Sequence, residues 1–309
     1  MLAISAIWLC LFFENASVLN KMPILGQPPS ESFNPYRPSY AMSHLSLKAA
    51  GNLQKIRETK PLIHNITNFV VMNYTANVLL AMGASPVMAH AENEVEDMVA
   101  FAGALVLNIG TLTDSWVASM ITAGERATVL KKPIILDPVG SGATPFRTAS
   151  ARAIIAKTKV SVIRGNASEI LSLGSQQATT KGVDSTRSVR DAAVTASLLA
   201  KELDTILAIT GPIDLVTDGS RVLNIANGHP LMPYVTGTGC SATAVIGAFA
   251  AVDTDYLTAA ATALAFFGLA GEMAGESVTG PGSFMIHLLD ALYTMTPEQL
   301  EAGCRINES

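Results

Sequence analysis

Between Val235 and Ala244 the chain reads V-T-G-T-G-C-S-A-T-A, two glycines around one threonine at the entrance to a run of small residues that suit a helix. Gly237 and Gly239 let the backbone turn sharply, so that successive N–H groups can point outward together. At a helix N-terminus those unpaired donors and the positive end of the dipole favour a phosphate, or the negative charge that develops while a phosphate moves. Cys240 falls in the first turn, where a thiol is expected to have a lowered pKa and to lie beside whatever oxygen the turn holds. The same residues also fit a plain strand-to-helix turn whose glycines serve packing, and an isolated G-x-G does not separate the two readings.

A second group of chemically able residues closes buried apolar runs. Asp137 ends P-I-I-L-D, Arg164 ends V-S-V-I-R with Glu169 five residues on, and Thr210 ends I-L-A-I-T. A charge at the end of a buried strand is costly unless paired or coordinated, so these ends belong on one rim. Asp137 and Glu169 together suit Mg2+, held largely through waters and oxygen ligands. Arg164 suits phosphate oxygens. The alternative is local: Asp137 caps the turn at Pro138, and Glu169 is a first-turn carboxylate pairing with Arg164.

The elements that must position these groups alternate between strand and helix. After an opening helix over Met42 to Arg57, strand Leu62 to Ile66 leads through Thr67-Asn68 into a helix from Phe69 to Met82, closed by Gly83. His64, Asn65, Thr67 and Asn68 thereby stand at a strand's carboxyl end, where open parallel sheets bind ligands. Ser85 to Ala89, Leu105 to Ile109, Pro133 to Asp137, Val160 to Arg164 and Ile206 to Thr210 read as further strands. Helices are expected over Glu92 to Ala102, Thr113 to Leu130 and Val189 to Leu203. Unbroken apolar strands such as A-L-V-L-N-I imply burial on both faces. A hairpin over Asp214 to Thr217 and Arg221 to Ala226 turns on Asp218-Gly219, and four mostly helical stretches follow the glycine turn. The expected fold class is α/β, a mainly parallel doubly wound sheet with helices on both faces and an antiparallel edge.

Composition narrows the partners. A formal charge of -5 without a Lys/Arg cluster argues against nucleic acid or an anionic membrane as the main partner. Three cysteines, far apart, indicate neither a disulfide framework nor a zinc site and fit a reducing, cytoplasmic setting. Residues 1–41 differ from the rest, an apolar run followed by a Pro- and Ser-rich stretch. They are expected to be a leader or an extension outside the fold, with one domain over 42–309.

Taken together, H-N-I-T-N (64–68), T-A-N-V-L-L-A-M-G-A-S-P-V-M (75–88), N-I-G-T-L (108–112), L-D-P-V (136–139), R-G-N-A-S-E-I (164–170), T-G (210–211), V-T-D-G (216–219), G-T-G-C (237–240) and G-P-G-S-F (280–284) resemble hydroxyethylthiazole kinase, in the family's order and over about residues 50–295. The resemblance implies a ribokinase-like fold and transfer of the ATP γ-phosphate to the hydroxyl of 4-methyl-5-(2-hydroxyethyl)thiazole, a step in thiamine biosynthesis or salvage. ATP is then a co-substrate, and a homotrimer with sites between subunits is implied. By the same resemblance Met88 and Gly237 contact the thiazole alcohol, and Arg164 and Thr210 bind ATP. N-A-S-E places Glu169, with Asp137, near magnesium. Gly239 and Cys240 stand where the wider superfamily has Gly-Asp, whose aspartate activates the alcohol. A pyrimidine or pyridoxal kinase of similar fold, a lyase on that fold and a non-enzymatic nucleotide-binding module are the other readings, and Cys240 speaks against the first.

Overall fold

The computed structural model describes residues 44–174 and 189–309. The leader or extension expected over residues 1–41 lies outside the described residues. Among the described residues the frame is a nine-stranded sheet in the order β2-β1-β3-β4-β5-β6-β7-β8-β9. Its strands are β1 (Leu62–Ile66), β2 (Ser85–Val87), β3 (Ala104–Asn108), β4 (Ile134–Asp137), β5 (Val162–Asn166), β6 (Ile206–Thr210), β7 (Asp214–Thr217), β8 (Val222–Ile225) and β9 (Ile306–Glu308). Strands β2 through β6 pair in parallel, and β7, β8 and β9 add antiparallel, the last recruiting the chain's C-terminal residues. The short β9 was not expected.

Alternation along the central strands divides the core into two layers. Ile63, Val106, Ile135, Val162 and Ala208 face one way, onto α1 (His44–Thr59), α2 (Met72–Met82) and, further along the chain, α8 (Thr238–Ala250), α9 (Tyr256–Gly275), α10 (Pro281–Thr294) and α11 (Pro297–Gly303). Ile66, Leu105, Leu107, Ile134, Leu136, Ile163 and Leu207 face the other way, onto α3 (Val95–Phe101), α4 (Asp114–Val129), α5 (Pro145–Lys157), α6 (Ala167–Leu171) and α7 (Val189–Leu203). Helix α8 lies so close to the sheet that a Cβ on Gly247 would stand 2.8 Å from Val106 Cγ2. Helix α9 is long and apolar enough to cross a membrane, but 83% of its apolar window is buried inside this fold, where it packs on α8 and α10.

The cap chemistry follows the sequence. Thr113 caps α4 by accepting from the Trp116 N–H, and Thr144, followed by Pro145, caps α5. Several expected ends move inward: α2 begins at Met72 and α3 at Val95, because Phe69 to Val71 and Glu92 to Glu94 are used in turns.

Candidate active site

Parallel pairing brings Asp137 of β4, Arg164 of β5 and Thr210 of β6 to the carboxyl ends of three adjacent strands. Arg164 Nη2 donates to Thr210 Oγ1 at 2.6 Å, and its Nη1 stands 3.8 Å from Asp137 Oδ2. Asp137 is fully buried, and its Oδ2 also accepts from Asn108 Nδ2 and Thr243 Oγ1, each at 2.9 Å. Burial pushes this carboxyl up to about 6, and the Glu169 charge adds to the rise, while Arg164, Thr243 and Asn108 oppose it. Among the described residues, neither Asp137 Oδ1 nor Arg164 Nε has a hydrogen-bond partner.

The glycine turn meets this cluster from above. Gly237 sits at φ +93, a conformation that favours glycine, and caps α8, which starts at Thr238. Thr238 Oγ1 donates back to Met232 O and Val235 O, pinning the turn. Gly239 passes directly beside Arg164: an added Cβ would stand 2.7 Å from its Nη1. The first turn of α8, through Thr238 and Gly239, therefore lines the same cavity as the guanidinium.

Cys240 corrects one expectation. Its thiol is not lowered: burial, followed by the neighbouring Asp137 charge, pushes it up to about 11, although Asn108, Asn68 and Arg164 work the other way. Desolvation and a nearby carboxylate outweigh the helix N-terminus. Asn68 Nδ2 approaches Cys240 Sγ at 3.6 Å and also donates to Asn108 Oδ1 at 2.8 Å, so Asn68, Asn108, Asp137 and Thr243 form one buried polar chain beneath the turn. Asn108 and Thr243 were missed as partners of Asp137. Asn108 carried a usable signal, a polar residue ending the apolar strand A-L-V-L-N.

Glu169 has a clear local duty. Its Oε2 accepts from Asn166 N at 2.9 Å, closing a capping box with the Asn166 side chain, and its Oε1 accepts from Gly140 N at 2.8 Å. It thus ties α6 to the turn after Asp137 rather than pairing with Arg164. For magnesium, the buried unpartnered Asp137 Oδ1 and the nearby Glu169 carboxylate are a fitting oxygen pair. No cluster of three or more His, Cys, Asp or Glu exists among the described residues, so other ligands would be waters and phosphate oxygens, as magnesium prefers.

A cavity of about 730 Å3 opens from Arg164, Thr210 and Gly239 toward Pro212, Asp214, Gly228 and Phe267. Met88 does not join it. It follows β2 at the sheet margin, with β1 and β3 between it and β4.

A family model described as the hydroxyethylthiazole kinase family matches residues 53–298. The chain is 81% identical over 268 residues to a hydroxyethylthiazole kinase of Desulfotalea psychrophila, covering 87% of this chain and 98% of that relative. It is similar to the solved hydroxyethylthiazole kinase structure from Pyrococcus horikoshii OT3, with a TM-score of 0.78 and 46% identity over 84% of this chain and 98% of that one. The Staphylococcus aureus pyridoxal kinase structure with AMP-PCP and pyridoxal shares the fold, with a TM-score of 0.56 and 14% identity over 81% of this chain and 98% of that one.

Proposed function

The chain belongs to the hydroxyethylthiazole kinase family, kinases that phosphorylate an alcohol with ATP as co-substrate, and we propose how its own residues carry that reaction. The γ-phosphoryl group of ATP passes to the hydroxyl of 4-methyl-5-(2-hydroxyethyl)thiazole, in thiamine biosynthesis or salvage. The observation that carries the assignment of residues is the convergence of Arg164, Thr210 and the start of α8 on one cavity. ATP lies in that cavity, with Arg164, steadied by Thr210, on its phosphates. The N–H groups of Gly239 and Cys240 face the oxygens of the moving phosphoryl group, where prepositioned donors stabilise developing charge. Gly237 holds the turn at φ +93, where a Cβ would stand 3.0 Å from Val71 Cγ1, and the alcohol approaches over its backbone.

Phosphoryl transfer is loose, so positioning outweighs proton abstraction. Cys240, which its surroundings keep as a thiol at neutral pH, orients the hydroxyl without ionising it in advance. Asp137 and Glu169 would hold magnesium, which on binding neutralises phosphate charge. The buried chain from Asn68 to Thr243 keeps Asp137 oriented for that duty.

We further place the kinase domain at 42–309, with residues 1–41 outside it, and the protein in the cytoplasm as a homotrimer. Met88 cannot reach the cavity of its own chain from the far side of β1 and β3, so the thiazole site would combine Met88 of one subunit with Gly237 of another. Exposed Phe69, Val70, Tyr234, Ile286 and Tyr293 supply apolar surface for such contacts. The test is a panel of thiazole, pyrimidine and pyridoxal alcohols with ATP and magnesium, followed by mass detection of product. Phosphorylation of the thiazole alcohol supports the reading, and preference for another alcohol contradicts it.

A further inference from the structure

The far wall of the cavity is held by residues that do not line it. Asn227 and Gly228 form part of that wall, following β8. Gly228 N donates to Glu272 Oε1 of α9 at 2.8 Å, and Asn227 Nδ2 reaches the same oxygen at 3.2 Å and Gly303 O at 3.0 Å. Arg305, just before β9, locks the arrangement. Its Nη1 donates to Glu272 Oε2 at 2.9 Å, and its Nη2 donates to Glu272 Oε1 and, at 2.9 Å, to Ala226 O. Its backbone completes the frame: Arg305 N donates to Asn227 Oδ1 at 2.8 Å, and Ala226 N donates to Arg305 O at 3.0 Å. The wall has little room to relax toward α9, since a Cβ on Gly268 would stand 2.6 Å from the Asn227 carbonyl.

We propose that Arg305 and Glu272 are positioning residues for the nucleotide, through which the C-terminal segment fixes the Asn227–Gly228 wall opposite Arg164 and Thr210. The proposal rests on reading this cavity as the ATP site. A bidentate guanidinium fixes both carboxylate oxygens, so Glu272 presents Oε1 to Gly228 in one orientation only. Without the guanidinium, Glu272 is a half-buried charge lacking its partner. It turns toward water and releases the Gly228 N–H, and the wall loses its shape while the reacting end, on β4, β5 and α8, is untouched.

The experiment uses the full chain and measures ATP dissociation by calorimetry beside steady-state constants for both substrates. Arg305→Ala is expected to weaken ATP binding about 10-fold, the usual worth of a hydrogen-bonded charged group, with kcat and the KM for the alcohol within about two-fold. Arg305→Lys, which keeps the charge but not the fork, recovers part of the loss, and Glu272→Gln behaves as Arg305→Ala does. Thr210→Val serves as reference. If it weakens ATP binding and Arg305→Ala does not, the positioning role is wrong and the cavity reading stands. If neither changes ATP binding, both are wrong. Equal losses for ATP and alcohol in Arg305→Ala would mark a purely structural pair and overturn the proposal. Should Arg305→Ala fail to fold, Arg305→Lys and Glu272→Gln decide by the same split between ATP and alcohol.

Discussion

Gly239→Ala separates the fold from the chemistry. The new Cβ would stand 2.7 Å from Arg164 Nη1, closer than a carbon tolerates, and a tight 3.1 Å from its Nη2. The obstacle is the far end of a flexible side chain, so the guanidinium moves and α8 stays. In moving it gives up the 2.6 Å bond to Thr210 Oγ1 and its 3.8 Å approach to Asp137. A hydrogen bond to a charged group contributes about 1.5 to 3 kcal/mol, which is about 10- to 150-fold in kcat/KM for ATP. Stability should move the other way or not at all, since alanine is favoured over glycine in a helix by up to about 1 kcal/mol. The assay is steady-state kinetics at varied ATP with saturating alcohol, beside a thermal melt. A variant with an unchanged midpoint and kcat/KM within about two-fold of the parent would refute the placement of Arg164 on the nucleotide.

Cys240→Ala should lower turnover by up to about 10-fold, the worth of a lost neutral hydrogen bond, whereas Cys240→Ser, whose hydroxyl can still hold the alcohol, should lose less, and a normal Cys240→Ala would contradict that role. With its thiol pushed up to about 11, Cys240 should react slowly with iodoacetamide at pH 7 and progressively faster above pH 10, and rapid neutral alkylation read by peptide mass would show otherwise. Glu169→Gln should lower both turnover and the thermal midpoint, the latter by the equivalent of about 0.5 to 1.5 kcal/mol because one amide oxygen cannot accept from both Asn166 N and Gly140 N, and an unchanged midpoint would show that the second contact contributes nothing. Burial pushes Asp214 up to about 6, so between pH 4 and 6 the folded chain holds a proton that the unfolded chain has lost. Folding stability from this group is therefore full below about pH 4 and falls as pH rises to 6. Asp214→Asn keeps the acceptor for Gly211 N and should flatten that slope in denaturant titrations at several pH values, whereas an unaltered slope would assign it to other groups.

The fold was legible where apolar patterning was strong. The A-L-V-L-N run became a fully buried β3, and Val189–Leu203, Ile206–Thr210 and Asp214–Thr217 lie where their periodicity placed them. Helix α5 was not foreseen although Thr144-Pro145 is a start signal, because its buried face is only Ser150, Ala151 and Ile154. The rim of Asp137, Arg164 and Thr210 could be read because each ends a hydrophobic run. The partners of Asp137 could not, since Asn108 and Thr243 lie 29 and 106 positions away. The thiol's pKa was misread for a related reason: position in a helix is visible in the sequence, whereas desolvation and the approach of Asp137 belong to the packed state.

The most direct test is a crystal structure with a non-hydrolysable ATP analogue and the thiazole alcohol bound together. The residues described here predict the terminal phosphate within hydrogen-bonding reach of the Gly239 and Cys240 N–H groups and of Arg164, with the alcohol oxygen over Gly237 and the nucleotide running along the cavity toward Gly228 and Phe267. A terminal phosphate away from the start of α8, with Arg164 still committed to Asp137 and Thr210 alone, would contradict the account.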